Sequence, residues 1–326
     1  MRILSGMRPT GRLHIGHLVG ALENWVRLQN EGNECYYFVA DWHSLTTHYK
    51  EVEHLKEYTR DMVRIFLAVG IDPEKSVIFV QSAVKEHAEL ALLFSMIVTV
   101  SRLERVPTYK EKKQDVNELP SAGLLIYPVL QAADILIYKA EGVPVGEDQV
   151  YHIELTREIA RRFNSLYKEI FPEPEAILSH TPKLPGTDGR KMSKSYGNVI
   201  HIETDEETLE RMIRPMMTDT ARKRRTDPGN PERCPVWLYH KAFGISDEEA
   251  RWVWEGCTKA KIGCLDCKKL LIKNMKKKLE PIWERLEEID KDPHYVDDVI
   301  HEGNKKAREV AQKTMEEVRE AMNLMF

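Results

Sequence analysis

Short apolar runs that suit strands alternate with longer helical runs through the first hundred or so residues of this 326-residue chain. Residues 2–4, 35–40 and 77–81 have strand character, and helical runs follow each of them. Parallel strands need helical crossovers of this kind, and the helices then cover both faces of the sheet. The alternation therefore predicts the α/β class, with a Rossmann-like, doubly wound parallel sheet that binds a nucleotide at the carboxyl ends of its strands.

A second region begins near residue 200, where the pattern becomes helical throughout. Two pairs of residues in it have the spacing of capping boxes, namely Thr204 with Glu207 and Ser246 with Glu249. Each pair should open a helix. We therefore expect two domains, a Rossmann-like domain at residues 1–200 and an all-helical domain at residues 201–326.

The composition indicates a globular protein with a sizeable core, since 42% of the residues are hydrophobic and 31% are charged. No apolar stretch approaches the roughly 20 residues that span a bilayer, and the N-terminus lacks the basic and apolar segments of a secretory signal. We therefore expect a cytoplasmic protein without a membrane partner. The net charge is only −4, so a nucleic acid would have to meet a local basic surface.

The sequence His14-Ile15-Gly16-His17 lies between the first strand-like run and the first helical run. At such a turn, the N–H groups of a helix N-terminus and the positive end of the helix dipole favour a polyphosphate. Gly6, Gly11 and Gly16 would let a base and a phosphate chain approach the backbone closely. Taken alone, two histidines three residues apart at a helix start are more often surface or capping residues.

A second motif, Lys191-Met192-Ser193-Lys194-Ser195, follows a loop rich in proline and glycine at residues 181–189. Alone it could be an ordinary basic loop, but the two motifs in this order resemble the two signatures of the class I aminoacyl-tRNA synthetases. The resemblance implies that an amino-acid carboxylate attacks the α-phosphorus of ATP and expels pyrophosphate. His14 and His17 would then donate to phosphate oxygens, and Lys191 and Lys194 would close on the pyrophosphate. Magnesium would bridge phosphate oxygens, so no all-protein metal cage is needed.

Asp134 lies within an otherwise apolar run at residues 127–136. A buried, unpaired carboxylate is costly, so this side chain needs a donor such as an indole N–H or a phenol hydroxyl. A role as a helix cap or a pairing with a nearby arginine is the alternative. Residues 132–136 and 143–157 resemble the signature of the tryptophanyl branch of the class. By this resemblance, which covers about residues 1–225, Asp134 binds the indole nitrogen of tryptophan.

The resemblance assigns three groups of residues. The tryptophan site would comprise Leu4, His43, Tyr127, Gln131, Asp134, Val143, Val145 and Gln149. The ATP site would comprise Gly6, Arg8, Gly16, Asp148, Met192, Ser193 and Ser195. Adenylation itself would depend on His14, His17, Lys112, Lys191 and Lys194. The product would be tryptophanyl-adenylate, from which tryptophan passes to its tRNA, and the family also implies a homodimer with its interface around residues 91–140.

Three features depart from the family pattern. Leu4 stands where many bacterial relatives have an aromatic residue, and Gln131 replaces a methionine. Many of those relatives have threonine and asparagine where this chain has His14 and His17. Because the Leu-Gln-Ala-x-Asp pattern also occurs in tyrosyl enzymes, tyrosine stays open as the alternative amino acid. A non-catalytic RNA-binding paralogue and a small nucleotidyltransferase are further alternatives, against which the intact signatures and the chain length argue.

Four of the five cysteines, Cys234, Cys257, Cys264 and Cys267, fall in the second region. Scattered core thiols are one interpretation, as we expect for Cys35, and disulfides are disfavoured in a reducing compartment. Four thiolates that end in a Cys-x-x-Cys pair fit a tetrahedral zinc site or a 4Fe-4S cluster. Zinc usually uses two such pairs. The irregular spacing, and the resemblance to a bacterial subset with a cluster in this domain, favour the 4Fe-4S cluster, with Zn²⁺ as the alternative.

Basic residues crowd around these cysteines. The lysines concerned are Lys259, Lys261, Lys268, Lys269, Lys273, Lys276, Lys277 and Lys278. Residues 222–225 form a second basic group. Lysine runs are often only solvated helix faces, but a basic surface on the domain remote from ATP would suit phosphate contacts with the anticodon arm of the tRNA for tryptophan.

Overall fold

The computed structural model of the protein describes residues 1–107, 109–110, 120–178, 184–193 and 196–325. Three of the predicted site residues, Lys112, Lys194 and Ser195, lie outside the described residues. Every other predicted site residue is described.

One sheet of five parallel strands forms the centre of the N-terminal region. Its strands are β1 Arg2–Met7, β2 Glu34–Val39, β3 Ser76–Val80, β4 Gly142–Val145 and β5 Glu175–Leu178. Their order across the sheet is β3-β2-β1-β4-β5, and every pairing is parallel. The chain runs outward from β1 to β3 and then crosses back to β4, so its direction reverses between β1 and β4. The predicted doubly wound, Rossmann-like sheet is confirmed, and the crevice at this reversal is where such sheets bind ligands.

Helices surround the sheet and continue to the end of the described chain. Those that precede β5 are α1 Ile15–His17, α2 Glu23–Asn30, α3 Asp41–His48, α4 Leu55–Val69, α5 Glu86–Ser95, α6 Val100–Leu103, α7 Ala122–Ile137 and α8 Val150–Leu166. Those that follow it are α9 Glu206–Ile213, α10 Pro235–Ala242, α11 Asp247–Thr258, α12 Cys264–Ile289 and α13 Tyr295–Ala321. A π-helical turn, Leu18–Leu22, joins α1 to α2. The C-terminal helical region is thus confirmed.

Strand β2 shows how the sheet is buried on both faces. Cys35, Tyr37 and Val39 belong to the apolar core on one face, together with residues of α2 and α4. Tyr36 and Phe38 point the other way, into the core formed with α5, α7 and α8. Because side chains of a strand alternate between faces, a continuous apolar run is what a parallel strand covered on both sides requires. Cys35 is a core residue, as predicted.

Two helix starts test the predicted capping boxes. Ser246 caps α11, and its hydroxyl and the Glu249 carboxylate bond reciprocally to backbone N–H groups, which confirms that prediction. The prediction for Thr204 is wrong by one residue. The N-cap of α9 is Asp205, whose carboxylate accepts from the Thr208 N–H at 2.8 Å. Aspartate and threonine both cap well, so a Thr-Asp pair leaves the exact start open in the sequence.

The last helix, α13, returns to the sheet and covers its outer strand β3. A Cβ atom at Gly303 would overlap the Ile78 carbonyl, so only glycine permits this close approach. Asn304 then accepts a hydrogen bond from the Val80 N–H at 2.8 Å. The helix thereby satisfies and shields an edge that would otherwise be open to another strand. No helix of the described ranges is long and apolar enough to cross a membrane.

Candidate active site

A cavity of about 640 Å³ opens at the carboxyl ends of β1 and β4, where the sheet reverses direction. Twelve of the predicted site residues line it. They are Leu4, Gly6, Arg8, His43, Tyr127, Gln131, Asp134, Val143, Val145, Asp148, Gln149 and Lys191. The structure therefore gathers every predicted tryptophan-site residue, three of the predicted ATP-site residues and one signature lysine around one cavity.

Asp134 forms the buried end of this cavity, with 1% of its surface exposed. It lies on α7, whose apolar sequence packs on the sheet, and three neighbouring side chains bond to its carboxylate. His43 Nε2 lies 2.7 Å from Oδ2, and His87 Nδ1 lies 2.5 Å from Oδ1. The amide of Gln81 donates to both oxygens at 2.9 Å. The expected alternatives, a helix cap or an arginine partner, are therefore not what the structure shows for this acid.

The charge state of Asp134 follows from these contacts. Burial acts to raise the pKa of its carboxyl group, but His43 and His87 act in the opposite direction, and the resulting pKa lies below its ordinary value. Asp134 is thus an ionised acceptor at neutral pH. An acceptor at the end of an apolar cavity can recognise a ligand through a single N–H or O–H group.

The first signature begins helix α1, and its two histidines form a reciprocal cap. Nδ1 of His14 accepts from the Gly16 N–H at 3.1 Å, and Nδ1 of His17 accepts from the His14 N–H at 3.2 Å. The two rings lie 3.7 Å apart. A neutral imidazole that accepts at Nδ1 carries its proton at Nε2. The cap therefore sets both rings as Nε2–H donors at the N-terminus of a helix.

The segment that follows the second signature is hydrogen-bonded to the segment that holds the first. Ile15 N–H donates to the Ile200 carbonyl at 3.0 Å, and Ile202 N–H donates to the Leu13 carbonyl at 3.2 Å. A Cβ atom at Gly16 would lie 3.4 Å from the Met192 sulfur, so the two motifs are also in side-chain contact range. Five further predicted site residues lie beside the cavity and do not line it. They are Gly16, Met192, Ser193, His14 and His17.

Asn198, of which only 2% is exposed, holds the described part of the second signature in place. Its side-chain oxygen accepts from the Ser193 N–H at 2.8 Å, and its amide donates to Asp188 Oδ1 at 2.8 Å and to the Lys191 carbonyl at 3.0 Å. The Asn198 hydrogen bond, aided by Arg190, lowers the pKa of Asp188 to about 2. Gly186 has no room for a Cβ atom beside this amide, so the loop closes tightly around Asn198.

Gln81 and His87 bond to Asp134 but belong to no motif in the sequence. Gln81 directly follows β3, His87 lies in the first turn of α5, and both are fully buried. Phe38 lies outside the motifs as well. Its ring lies in the cavity wall next to Gly6, where a Cβ atom would come within 2.5 Å of the ring. The apolar run of β2, which contains Phe38, is the signal that the sequence offers for this residue.

The four C-terminal cysteines come from three helix ends. Cys234 caps α10, Cys257 lies near the end of α11, and Cys264 and Cys267 lie in the first turn of α12. Burial raises the pKa of the Cys267 thiol to about 12, and the other three thiols act in the same direction. The four sulfur atoms thus lie within electrostatic range of one another.

The predicted metal centre is not present as a ready set of ligands. In the described part of the chain, no group of three or more His, Cys, Asp or Glu side chains is arranged so that it could hold a metal ion. The neighbours of the thiols are mainly cationic or neutral donors. Arg222 Nη1 lies 3.8 Å from Cys257 Sγ, and His240 Nε2 lies 3.3 Å from Cys267 Sγ.

The lysines around the cysteines are not all surface groups. Lys268 is buried, and its ammonium donates to the carbonyls of Arg214 and Met216 at 2.7 and 2.5 Å, so the expectation that it faces RNA is wrong. Lys276 forms an ion pair with Glu206 at 2.6 Å, and Lys278 forms one with Glu23 at 2.6 Å. Lys277, between them, is exposed.

Comparison with known proteins agrees with this fold. A family model described as class I tRNA synthetases (W and Y) matches residues 1–280. The chain belongs to this family of class I synthetases for tryptophan and tyrosine.

Individual relatives within this family indicate which of the two amino acids is activated. The chain is 80% identical over 328 residues to a tryptophan–tRNA ligase from Thermotoga maritima, with all of both chains covered. It is 46% identical to the corresponding ligase from Aquifex aeolicus, over 99% of this chain and all of that one. A crystal structure of the Campylobacter jejuni tryptophanyl-tRNA synthetase, complexed with ADP and tryptophan, superimposes with a TM-score of 0.87 at 35% identity, covering 99% of this chain and all of that chain.

The activity is therefore that of a tryptophan–tRNA ligase, an aminoacyl-tRNA synthetase whose partners are tryptophan and tRNA. ATP as the other substrate and Mg²⁺ are generic to the class. Tryptophan, rather than the alternative tyrosine, is the amino acid that these relatives indicate.

Proposed function

We propose that the cavity holds tryptophan and ATP together, with the indole N–H directed at Asp134 and the phosphates directed at α1. The observation that carries this proposal is the ionised, 1% exposed carboxylate at the buried end of a cavity that Leu4, Val143 and Val145 also line. Val143, Val145 and Leu4 would contact the ring, while Tyr127 and Gln149 would hold the polar end of the amino acid. The Campylobacter jejuni enzyme, described as complexed with ADP and tryptophan, supports a site for both ligands.

The same proposal assigns the nucleotide to the β1 end of the cavity. Gly6, which lines the cavity, and Gly16 would lie near the nucleotide, Asp148 would contact the ribose, and the Nε2–H groups of His14 and His17 would donate to phosphate oxygens. Lys191, which lines the cavity, would stabilise the departing pyrophosphate. Mg²⁺ would bridge phosphate oxygens and spread their charge. Arg8, Met192 and Ser193 complete the described part of this site, and we keep Lys112, Lys194 and Ser195 as proposed residues from the family resemblance.

The amino-acid half of the proposal is tested with Asp134→Asn in tryptophan-dependent pyrophosphate exchange. Replacing the charged acceptor with a neutral one should raise the KM for tryptophan about 10- to 100-fold, since hydrogen bonds to charged groups contribute about 1.5–3 kcal/mol. The KM for ATP should change less than about threefold. An unchanged KM for tryptophan in a folded variant would contradict the role of Asp134.

For the C-terminal region we propose a 4Fe-4S cluster held by Cys234, Cys257, Cys264 and Cys267. Four thiols within electrostatic range, with a guanidinium beside one of them, suit a group that keeps net negative charge with four thiolates. Bound there, the cluster would fix three helix ends to one another. Iron and sulfide analysis of anaerobically purified protein should find about four of each per chain, and Cys267→Ser should lose them while Cys35→Ser retains them. A colourless protein with one zinc per chain would overturn the assignment.

We also propose a homodimer that uses α5, α6 and α7, within the expected interface at residues 91–140. Four large apolar side chains are exposed on these helices or directly after α5, namely Leu92, Met96, Val100 and Ile126. An exposed apolar group of this kind commonly marks a protein interface. Met96→Glu should shift the protein to the monomer in sedimentation, whereas Trp252→Glu, a similarly exposed apolar position on α11, should leave the dimer intact. A wild-type monomer would refute the proposal.

Finally, we propose that the domain at residues 201–326 binds the anticodon arm of tRNA through its exposed basic residues. Lys277 is the sharpest probe, because its neighbours Lys276 and Lys278 form ion pairs within the protein. Lys277→Glu should weaken tRNA binding and reduce the salt slope by about one, while tryptophan-dependent pyrophosphate exchange stays unchanged. If Lys277→Glu binds tRNA as tightly as the wild type does, Lys277 is not part of the tRNA-binding surface.

A further inference from the structure

We propose that His87 and Tyr138 are positioning residues for tryptophan, which hold Asp134 in the orientation and charge state that the indole N–H requires. The inference rests on the proposed role of Asp134. It adds two residues that do not line the cavity and so would not contact the substrate. Both side chains are fully buried behind the carboxylate.

The three groups form a continuous chain of hydrogen bonds. His87 Nδ1 lies 2.5 Å from Asp134 Oδ1, and His87 Nε2 lies 2.7 Å from the Tyr138 hydroxyl. Burial, aided by the charge of Asp134, raises the pKa of Tyr138 well above its ordinary value, so the phenol keeps its proton. A protonated phenol donates to Nε2, and the imidazole proton must then be on Nδ1, directed at the carboxylate.

Backbone N–H groups orient Gln81, the second side chain that donates to Asp134. The Gln81 side-chain oxygen accepts from the N–H groups of Trp42 and His43, at 3.1 and 3.4 Å, at the start of α3. This orients the Gln81 amide so that its NH₂ group faces Asp134. His43 donates from the cavity side. The Gln81 nitrogen is equidistant from the two oxygens and shares one N–H between them, so three N–H groups meet a carboxylate with about four acceptor positions. One position is left for a donor from the cavity.

Loss of the His87 donor would leave Asp134 Oδ1 with the shared Gln81 amide alone, which favours rotation of the carboxylate or uptake of a proton. Either change weakens an acceptor that must meet one N–H group in a defined direction. Because the interaction is made with bound tryptophan as well as in the transition state, its loss should raise the KM for tryptophan and leave kcat within about threefold. A purely structural role for His87 would lower activity with every amino acid alike.

The test compares tryptophan with 3-benzothienyl-L-alanine, which replaces the indole N–H with sulfur. The measured quantity is the ratio of kcat/KM for tryptophan to that for the analogue, by pyrophosphate exchange. His87→Leu should lower this ratio about tenfold, the equivalent of one hydrogen bond to a charged group. His87→Asn places an amide N–H close to the original Nδ1–H, and should keep the ratio within about threefold of wild type. Tyr138→Phe should give an intermediate value.

Asp134→Ala distinguishes a failure of the positioning role from a failure of the role of Asp134 itself. Thermal unfolding checks that each variant is folded. If Asp134→Ala abolishes the discrimination while His87→Leu and Tyr138→Phe preserve it, the positioning role is wrong and the role of Asp134 stands. If Asp134→Ala itself preserves the discrimination, both proposals fail together. If His87→Leu does not fold, Tyr138→Phe decides the outcome, because it removes only a hydroxyl group, and an unchanged ratio there refutes the inference.

Discussion

The buried side chain of Asn198 offers a sharp test of how the second signature is held. Asn198→Ala removes three hydrogen bonds, to the Ser193 N–H, to Asp188 and to the Lys191 carbonyl. All three partners belong to the loop that carries the signature lysines. The backbone hydrogen bond from Thr187 N–H to the Asn198 carbonyl, at 3.0 Å, remains in the variant. The change therefore loosens the loop without removing its attachment.

The expected loss of rate follows from the number of hydrogen bonds that the substitution removes. A hydrogen bond of this kind contributes about 1 kcal/mol net, so three lost bonds amount to about 3 kcal/mol of local stability. If the loop must be in this conformation for pyrophosphate to leave, that loss lowers the rate by up to about 100-fold, at about 1.4 kcal/mol for each factor of ten. Tryptophan contacts Asp134 and the β4 side of the cavity in our proposal, so its KM should change less than about threefold.

The assay is tryptophan-dependent exchange of pyrophosphate into ATP, with Asn164→Ala as a matched control. Asn164 also makes three hydrogen bonds, to the N–H groups of Ile170 and Phe171 and to the Phe171 carbonyl, but it lies at the far end of α8. The control should lose a comparable amount of stability in urea unfolding and keep its kcat. An equal loss of kcat in both variants, or exchange at the wild-type rate by Asn198→Ala, would contradict this role of Asn198.

Three further predictions concern stability. Gly303→Ala forces a Cβ atom onto a β3 carbonyl and should lower the free energy of unfolding by about 3 kcal/mol, while Glu302→Ala on the same helix stays near wild type in urea unfolding. Lys268→Met leaves two buried carbonyls without their ammonium donor and should cost about 2–4 kcal/mol in the same assay, unlike the exposed Lys269→Met. Because the folded pKa of Asp134 is below the unfolded one, its charge stabilises the protein above about pH 4 and ceases to do so as the pH falls through the folded pKa. Asp134→Asn should therefore flatten the acid side of the stability profile, and an unchanged slope would contradict the lowered pKa.

The fold could be predicted from the sequence because its signals are local. The runs at residues 35–40 and 77–81 are continuous and apolar, as strands buried on both faces must be, and each is followed by a helix-length segment. The closure of the sheet edge by α13 has no such signal. In the sequence, Gly303 and Asn304 look like ordinary residues of a polar helix. Their role depends on the contact of that helix with β3.

The same limit explains which residues around Asp134 can be predicted from the sequence and which cannot. Residues on motifs, such as Tyr127 and Val143, could be assigned from the sequence because the family resemblance covers them. Gln81 and His87 could not, because the fold alone brings the end of β3 and the start of α5 against α7. A buried carboxylate shows that donors must exist, since ionised acids in an apolar core are otherwise costly. It does not show which segments supply those donors.

The first signature shows how two interpretations of one motif can both hold. Capping and phosphate contact are the two alternative roles for His14 and His17, since either one explains a histidine pair at a helix start. In the structure the cap uses Nδ1 of each ring. Each neutral imidazole then has its proton on Nε2, which is the form that can donate to an anion. Capping thus prepares the rings for the proposed phosphate contact. Threonine and asparagine, which many relatives have at these positions, also cap helices and carry a donor, so the substitution keeps both properties.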